Sequence, residues 1–268
     1  MSFRDFWTNE NNPSLPKSEY LYNTRHILVL FSVVVACIVL SLIFYKKSDR
    51  AKNILFYVLG SILLFFEIAS RVVNLIIETD YSFASVFKIL VPMHICSVMV
   101  WVFIVAVFSH KKTLMEYSVI CGLLATAGFL AYPAVGLNKV HMSFTCIYST
   151  FSHALGFVTV ILMMTLGKVH FRFKDIWKIY LCFAIMFLWG VILDFAILPG
   201  SDYMYLRNDP LELDLNFPYQ ILYAIVLALY TLIFYVINLL ITKAKSSKQS
   251  KDDDEKMKKI IEICKNKI

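Results

Sequence analysis

Seven runs of apolar residues determine most of what this chain can fold into. They lie at approximately 27–45, 53–77, 86–108, 114–133, 145–167, 177–198 and 218–242. A run of about 18 to 25 residues is long enough for an α-helix to cross a hydrocarbon layer of about 30 Å. The runs lack the alternating pattern of membrane β-strands, and only 17% of all residues are charged. The sequence therefore predicts an all-α, polytopic membrane protein with seven transmembrane helices.

Basic residues are concentrated in alternate connections between these runs. They are Lys46, Lys47, Arg50 and Lys52 after the first run, Lys111 and Lys112 after the third, Lys168, Arg172, Lys174 and Lys178 after the fifth, and nine lysines after the seventh. Connections rich in lysine and arginine face the cytoplasm. The charge distribution therefore predicts an N-terminus outside the cell and a cytoplasmic C-terminus. An odd number of helices agrees with this prediction, because it places the two termini on opposite sides of the membrane.

Three regions follow from this topology. They are an extracytoplasmic N-terminal segment at 1–26, a seven-helix transmembrane domain at 27–242 and a basic cytoplasmic tail at 243–268. The net charge of +7 reflects the cytoplasmic lysines, so it indicates topology and not nucleic-acid binding. We expect a multi-pass protein of a cell membrane, with membrane lipids as its partners. The six cysteines are not paired as in zinc sites, so no metal or other cofactor is expected, and the oligomeric state stays open.

Polar residues inside the runs are the candidates for function. A charge at the centre of a membrane helix costs at least about 2.5 to 3.5 kcal/mol unless it is paired or faces water. In the second run, Glu67, Arg71 and Asn74 recur at steps of three and four, and Glu67 and Arg71 can form an i, i+4 ion pair. The other candidates are His94, Ser97 and Trp101 in the third run, Ser149 and His153 in the fifth, and Asp194 in the sixth.

The predicted topology places these side chains at one depth. Glu67 and Arg71 fall in the outer half of the second helix, while His94 and His153 each lie about two turns from the outer surface. Asp194 lies about one turn from the outer end of the sixth helix. We therefore expect one shared polar site in the extracytoplasmic leaflet. The alternative is a set of separately satisfied hydrogen bonds that only stabilise helix packing.

The residue types in this set suit proton transfer beside a bound anion. His94 and His153 can act as general base or acid, because an unperturbed imidazole titrates near neutral pH. A carboxylate from Glu67 or Asp194 can orient an imidazole, and Arg71 can bind a phosphate or carboxylate. Such a site predicts that both histidines line one cavity.

Several segments resemble the bacterial YwaF-like integral membrane proteins. They are Leu90-Val91-Pro92-Met93-His94-Ile95-Cys96-Ser97, the second helix with its arginine and glutamate, His26 at the start of the first helix, Ser152-His153, and Gly200-Ser201-Asp202-Tyr203-Met204-Tyr205-Leu206 followed by Asp209-Pro210. Relatives usually have asparagine where this chain has Asp202. The resemblance covers all seven predicted helices.

The YwaF-like family is similar to the eukaryotic transmembrane protein 164 family, whose members are considered lipid acyltransferases that use a cysteine and a histidine. The resemblance places the nucleophile on Met93 and the histidine on His94. Methionine cannot form an acyl thioester. Two alternatives follow: His94 and His153 act directly as acid and base, or Cys96 is a displaced nucleophile. Cys96 lies about 200° around the helix from His94, which favours the first.

The sequence and the resemblance together predict acyl transfer or hydrolysis on a lipid substrate. In this interpretation His94 is the general base, His153 an acid or oxyanion stabiliser and Glu67 an orienting carboxylate. Substrate contacts are expected from Arg71, Asn74, Ser97, Trp101, Ser149 and Asp194. Two alternatives stay open, a transporter or solute-binding protein and a membrane scaffold without catalysis. The sequence shows no internal repeat and no pair of Gly- or Pro-broken helices, features that many transporters have.

Overall fold

The fold is described from a computed structural model, which covers residues 6–7, 12–133, 136–203, 206–208 and 218–240. Within these residues the regular structure is helical, and the one β-type feature is an isolated bridge between Ser14 and Lys139. The predicted all-α class is confirmed. The proposed tail at 243–268 lies outside the described residues.

The helices follow the seven apolar runs closely. In chain order they are α1 (Lys17–Tyr20), α2 (Thr24–Phe44), α3 (Asp49–Ile77), α4 (Phe83–Leu90), α5 (Ile95–Ser109), α6 (Lys112–Ala131), α7 (Phe144–Thr165), α8 (Ile176–Val191) and α9 (Tyr219–Leu240). A 3₁₀ turn, Phe173–Asp175, precedes α8, and a π-helical turn, Ile192–Ile197, follows it. By length and composition six stretches of the described chain can each cross a membrane, and α4 with α5 forms a bent seventh.

The third predicted helix is not continuous. It was expected at 86–108, but the chain forms α4 and α5, which are bent by 50° relative to each other. Pro92 explains the break, because proline has no N–H for an i→i−4 bond and its ring disfavours helix in the preceding residue. Val91 is accordingly extended, and His94 has the extended conformation of an N-cap. His94 therefore begins α5 and is not inside a helix.

The N-terminal segment is bound to the connection between α6 and α7. Ser14 and Lys139 form the antiparallel bridge, and the N–H of Leu15 donates to the Asn138 carbonyl. The Asn12 side chain donates to the His141 carbonyl at 2.8 Å and accepts from the His141 N–H at 3.0 Å. The two segments must therefore lie on the same side of the membrane.

This pairing decides how the bent pair is counted. Between the two segments lie α2, α3, the α4–α5 pair and α6. Segments on one side of a membrane are separated by an even number of crossings, so α4 and α5 together cross once. Counting Phe173–Ile197 and Tyr219–Leu240 as one crossing each gives the seven spans that the hydropathy predicts. The choice of outer side rests on the lysine distribution and stays a prediction.

The described residues fall into two compact units. The first contains residues up to His170 together with Leu181–Leu213, and it includes every residue of the candidate site. Within it α7 is central, because it packs against α2, α3, α5 and α6. In the second unit, the Tyr180 hydroxyl donates to the Ala228 carbonyl at 3.1 Å and the Asn238 amide donates to the Phe171 carbonyl at 3.1 Å.

Small residues allow α5, α6 and α7 to approach closely. The ring of Phe103 is almost fully buried in a notch between Gly122 and Gly156. A Cβ atom at Gly122 would lie 2.4 Å from the ring, and one at Gly156 would lie 3.0 Å from it. Gly122 on α6 and Gly156 on α7 therefore serve helix packing. A Cβ atom at Gly128 would meet no atom within 4 Å.

The topology can be tested by labelling single cysteines in a background without the native ones. Ser14→Cys and Lys139→Cys should react with a membrane-impermeant maleimide from the same side, and Lys47→Cys from the opposite side, because one crossing separates residue 47 from the N-terminal segment. Labelling of positions 14 and 139 from opposite sides would contradict the count of seven spans.

Candidate functional site

The buried side chain of Glu67 accepts hydrogen bonds from three side chains in the membrane part of the chain. It is 1% exposed. One carboxylate oxygen accepts hydrogen bonds from the Arg71 guanidinium and, at 2.9 Å, from the Trp101 indole N–H. The other accepts from the Tyr148 hydroxyl. Since these donors lie on α3, α5 and α7, the carboxylate joins three spans.

The predicted ion pair between Glu67 and Arg71 is confirmed. Arg71 also donates to the Ile89 carbonyl, lies 3.5 Å from the Ser97 hydroxyl and stands over the Trp101 ring at 5.7 Å. Its Nε atom is buried and has no hydrogen-bond partner among the described residues. The guanidinium thus binds a carboxylate, an aromatic face and a backbone carbonyl at once.

Two side chains donate hydrogen bonds to backbone carbonyls at the break between α4 and α5. A helix end leaves backbone carbonyls without helical partners, which is costly where water is scarce. The Ile89 carbonyl accepts from Arg71, and the Pro92 carbonyl accepts from the Trp189 indole N–H at 3.1 Å. The break is therefore supported by α3 on one side and α8 on the other.

A cavity of about 270 Å³ opens beside Arg71. It is called the polar cavity here, and its walls are Glu67, Ser70, Arg71, Asn74, Glu78, Ser85, Lys88, Ile89, Val91, Met93, His94, Ser97 and Tyr148. It lies toward the connection between α3 and α4, on the same side of the membrane as the N-terminal segment. Spans two, three and five therefore contribute polar residues to one place.

The entrance side of the polar cavity carries charges of both signs. Lys88 is exposed in the last turn of α4, and Glu78 accepts from the N–H groups of Thr79 and Asp80. The pKa of Asp80 is lowered from its ordinary value, first by the Ser82 side chain and backbone N–H, then by Ser85 and by the charge of Lys88. Asp80 therefore stays ionised at neutral pH.

His94 is the histidine that lines the polar cavity. Its side chain is exposed and does not cap α5. Its ring meets the ring of Tyr203 edge to face, with centroids 5.0 Å apart. Within the described residues, the imidazole nitrogens have no hydrogen-bond partner, so both are available to a ligand.

His153 lies elsewhere, and the expectation that both histidines share one cavity is not met. Its Nδ1 is 2.7 Å from the Ser149 carbonyl, and its ring stacks on Phe129 of α6 at 3.8 Å. A carbonyl can only accept, so Nδ1 carries the proton and Nε2 has the free lone pair. Nε2 is buried without a partner among the described residues. Ser149 contributes its backbone to this contact and does not line the polar cavity.

Within the described residues, neither Glu67 nor Asp194 is hydrogen-bonded to an imidazole, contrary to the sequence interpretation. Glu67 is occupied by Arg71 of its own helix and by Trp101 and Tyr148 of two neighbouring helices. Asp194 is 0% exposed and accepts from the Ser201 hydroxyl at 2.8 Å and the Tyr203 N–H at 3.2 Å. It does not line the polar cavity, so a direct substrate contact is not what its position favours.

The remaining candidates either line the polar cavity or bind a residue that lines it. Asn74 and Ser97 line the polar cavity, whereas Trp101 supports it by binding Glu67. The sequence interpretation missed Tyr148 and Lys88. Tyr148 could have been found from the sequence, because it precedes Ser152 by four residues and therefore lies on the same face of α7.

A family model described as the TMEM164 family matches residues 21–239. The chain belongs to the TMEM164 family. The matched range includes α2 to α8, the polar cavity and nearly all of α9, so the site is part of the TMEM164 region. Comparison with curated proteins and with solved structures gives no significant match. The narrower YwaF-like assignment stays a prediction.

Disrupting the ion pair in this TMEM164 family member should reveal how much the site contributes to folding. Arg71→Leu leaves a buried carboxylate with two neutral donors and should lower the free energy of unfolding by about 3 to 5 kcal/mol. Adding Glu67→Gln removes that charge, so the double variant should be less destabilised than Arg71→Leu alone. Chemical unfolding in micelles measures both.

The ion pair between Lys168 and Asp49 provides the control, because the Asp49 side chain is 87% exposed. Asp49→Asn should cost less than about 1 kcal/mol. A double variant less stable than the sum of its single variants would show that Glu67 and Arg71 do not stabilise each other.

Proposed function

We propose that this protein transfers or hydrolyses an acyl group of a membrane lipid, with the lipid headgroup in the polar cavity and His94 as the general base. One observation carries the proposal: an exposed imidazole, without a hydrogen-bond partner among the described residues, lines a cavity that also contains a guanidinium and an ammonium. An amphipathic substrate fits a polar recess at the end of apolar helices. The same proposal places the protein in a bacterial plasma membrane, with the cavity on the outer side.

The cationic groups favour a headgroup that carries a phosphate. Lys88 is exposed at the cavity, and no ion pair holds it within the described residues. Arg71 is partly compensated by Glu67, but its buried Nε–H has no hydrogen-bond partner among the described residues. Arginine and lysine are the usual phosphate-binding side chains. Asn74 and Ser85 add neutral hydrogen-bonding groups to the same wall.

The chemistry requires only one base near the ester. His94 takes a proton from water or from an acceptor alcohol, and the resulting oxygen attacks the ester carbonyl. The new C–O bond forms, the bond to the leaving alkoxide breaks, and His94 returns the proton to that alkoxide. Direct transfer of this kind fits the side chains present, because Met93 is buried in a hydrophobic cluster and its thioether cannot carry an acyl group.

His153 is assigned a separate role in this proposal. Its free Nε2 has the lone pair of a base, but its ring packs on α6 and away from the walls of the polar cavity. We therefore assign the proton transfer to His94 and a supporting role to His153. Cys96 remains the alternative nucleophile, and its replacement by alanine separates the two mechanisms.

A second candidate function, binding or transport of a small solute, is favoured by the helix break between α4 and α5. Discontinuous helices often form substrate and ion sites in secondary transporters. Here the break between α4 and α5 lies against the π-helical turn that follows α8, since Met93 packs with Leu193 and Leu198. This feature was not expected from the sequence, which shows no pair of broken helices.

The two functions can be separated by lipid profiling of cells that lack the protein and express variants. His94→Gln keeps hydrogen-bonding capacity, so it should leave expression intact and lower the lipid conversion by roughly 10²- to 10⁴-fold, the usual contribution of a general base. Cys96→Ala should retain activity. His153→Asn should reduce it less than His94→Gln.

His110→Asn is the matched control. His110 ends α5 at the other end of the helix, with a φ of 51° that asparagine tolerates, and its ring is bonded to the Tyr57 hydroxyl. It should not alter lipid composition. Unchanged lipids in the deletion strain together with altered solute uptake would contradict the acyl-transfer proposal and support the second candidate.

A further inference from the structure

The sixth span ends in an irregular turn that buries a carboxylate. After α8, residues Ile192–Ile197 form a π-helical turn, closed by a hydrogen bond of 2.8 Å from the Leu198 N–H to the Leu193 carbonyl. Leu193 and Asp194 are both 0% exposed. Turns of this kind occur frequently at functional sites.

Asp194 folds the following chain back onto the span. One of its carboxylate oxygens accepts from the Ser201 hydroxyl at 2.8 Å and from the Tyr203 N–H at 3.2 Å. The reversal passes through Gly200, whose φ of +94° is unfavourable for residues with a side chain. The position of Tyr203 is therefore fixed by a buried acceptor nine residues earlier.

Tyr203 in turn contacts the break in the third span. Its ring meets the His94 ring edge to face, with centroids 5.0 Å apart. It also packs against the cluster formed by Met93, Leu193 and Leu198. The Tyr203 ring is thus an aromatic neighbour of the His94 imidazole, whose nitrogens have no hydrogen-bond partner within the described residues.

The loop has a second attachment that does not involve His94. Arg207 donates to the Asp194 backbone carbonyl at 2.8 Å and stands over the Phe195 ring at 4.4 Å. Asp202 accepts from the N–H groups of Leu206, Arg207 and Asn208. Burial raises the pKa of Asp202, but these N–H groups and the Asn208 side chain outweigh it and lower the pKa. Asp202 thus holds the loop internally, while Asp194 holds it to the span.

We propose that Asp194 is a positioning residue that fixes the orientation of the His94 imidazole through Tyr203. The inference rests on the proposed function, because it concerns the base of that same site. A side chain without hydrogen bonds is free to change rotamer, and the Tyr203 ring restricts this freedom for His94. Asp194 acts at a distance and does not touch the substrate.

Two pairs of variants test whether Asp194 acts on His94 through Tyr203. Asp194→Asn keeps an oxygen that accepts from Ser201 and Tyr203, whereas Asp194→Leu removes it. Tyr203→Phe keeps the ring against His94, whereas Tyr203→Ala removes it. The first member of each pair should behave like the wild type. The second should lower kcat by roughly 10- to 100-fold while KM changes by less than about twofold, since misplacing a catalytic group affects the chemical step.

NMR of protein with isotope-labelled histidine, in lipid nanodiscs, provides a readout that does not depend on activity. The His94 ring signal is identified by its loss in His94→Gln. Asp194→Leu and Tyr203→Ala should shift it toward the value of a freely rotating imidazole. The control Asp202→Asn keeps one side-chain oxygen that can accept from the loop N–H groups, and it does not alter the Asp194 contacts. It should therefore leave the His94 signal unchanged.

The outcomes are distinguishable. An unchanged His94 signal in Asp194→Leu or Tyr203→Ala overturns the inference, and Tyr203→Ala decides it if Asp194→Leu does not fold. A shifted signal in Asp194→Leu and Tyr203→Ala, together with a wild-type protein that converts no lipid, would support the positioning role and reject the proposed function. A loss of kcat in Asp194→Asn equal to that in Asp194→Leu would also overturn the inference, because the accepting oxygen is retained.

Discussion

The structure depends on how a membrane protein compensates one buried carboxylate. Glu67 lies inside a transmembrane helix with 1% of its surface exposed, and an uncompensated charge there would be strongly unfavourable. Arg71, Trp101 and Tyr148 provide the compensation from three different spans. Because Arg71 also binds the Ile89 carbonyl, the same group that neutralises Glu67 stabilises the break in the third span. The polar cavity lies where these requirements meet.

The irregular parts of the backbone are concentrated around this point. Non-helical backbone at membrane depth is tolerated where protein groups satisfy it. The break at Pro92 is satisfied by Arg71 and Trp189, and the π-helical turn is closed by Leu198 and held to the following loop by Asp194. The break frees His94 from the regular helix and places it at the cavity. The irregularities and the candidate chemistry therefore occupy one region of the first unit.

Much of this arrangement follows from the sequence, because hydropathy defines the spans and the i, i+4 spacing defines the Glu67–Arg71 pair. The rest depends on contacts between distant residues. Pro92 is visible in the sequence, but whether a proline bends or breaks a helix depends on the groups that satisfy its neighbours. His153 was expected at the site, yet its ring stacks on Phe129 of α6 and does not line the polar cavity. His26 is 0% exposed, and its ring is hydrogen-bonded to the Tyr22 N–H and the Leu130 carbonyl, the second of which is 104 residues away in the chain.

The central claim is that the polar cavity receives the headgroup of a membrane lipid. A cryo-EM structure of the protein in nanodiscs containing a non-hydrolysable phospholipid analogue tests it most directly. The account predicts headgroup density in the polar cavity, with the phosphate in hydrogen-bond distance of Arg71 or Lys88 and the ester analogue directed at His94. Headgroup density at another surface, with the polar cavity empty or holding only water, would contradict it.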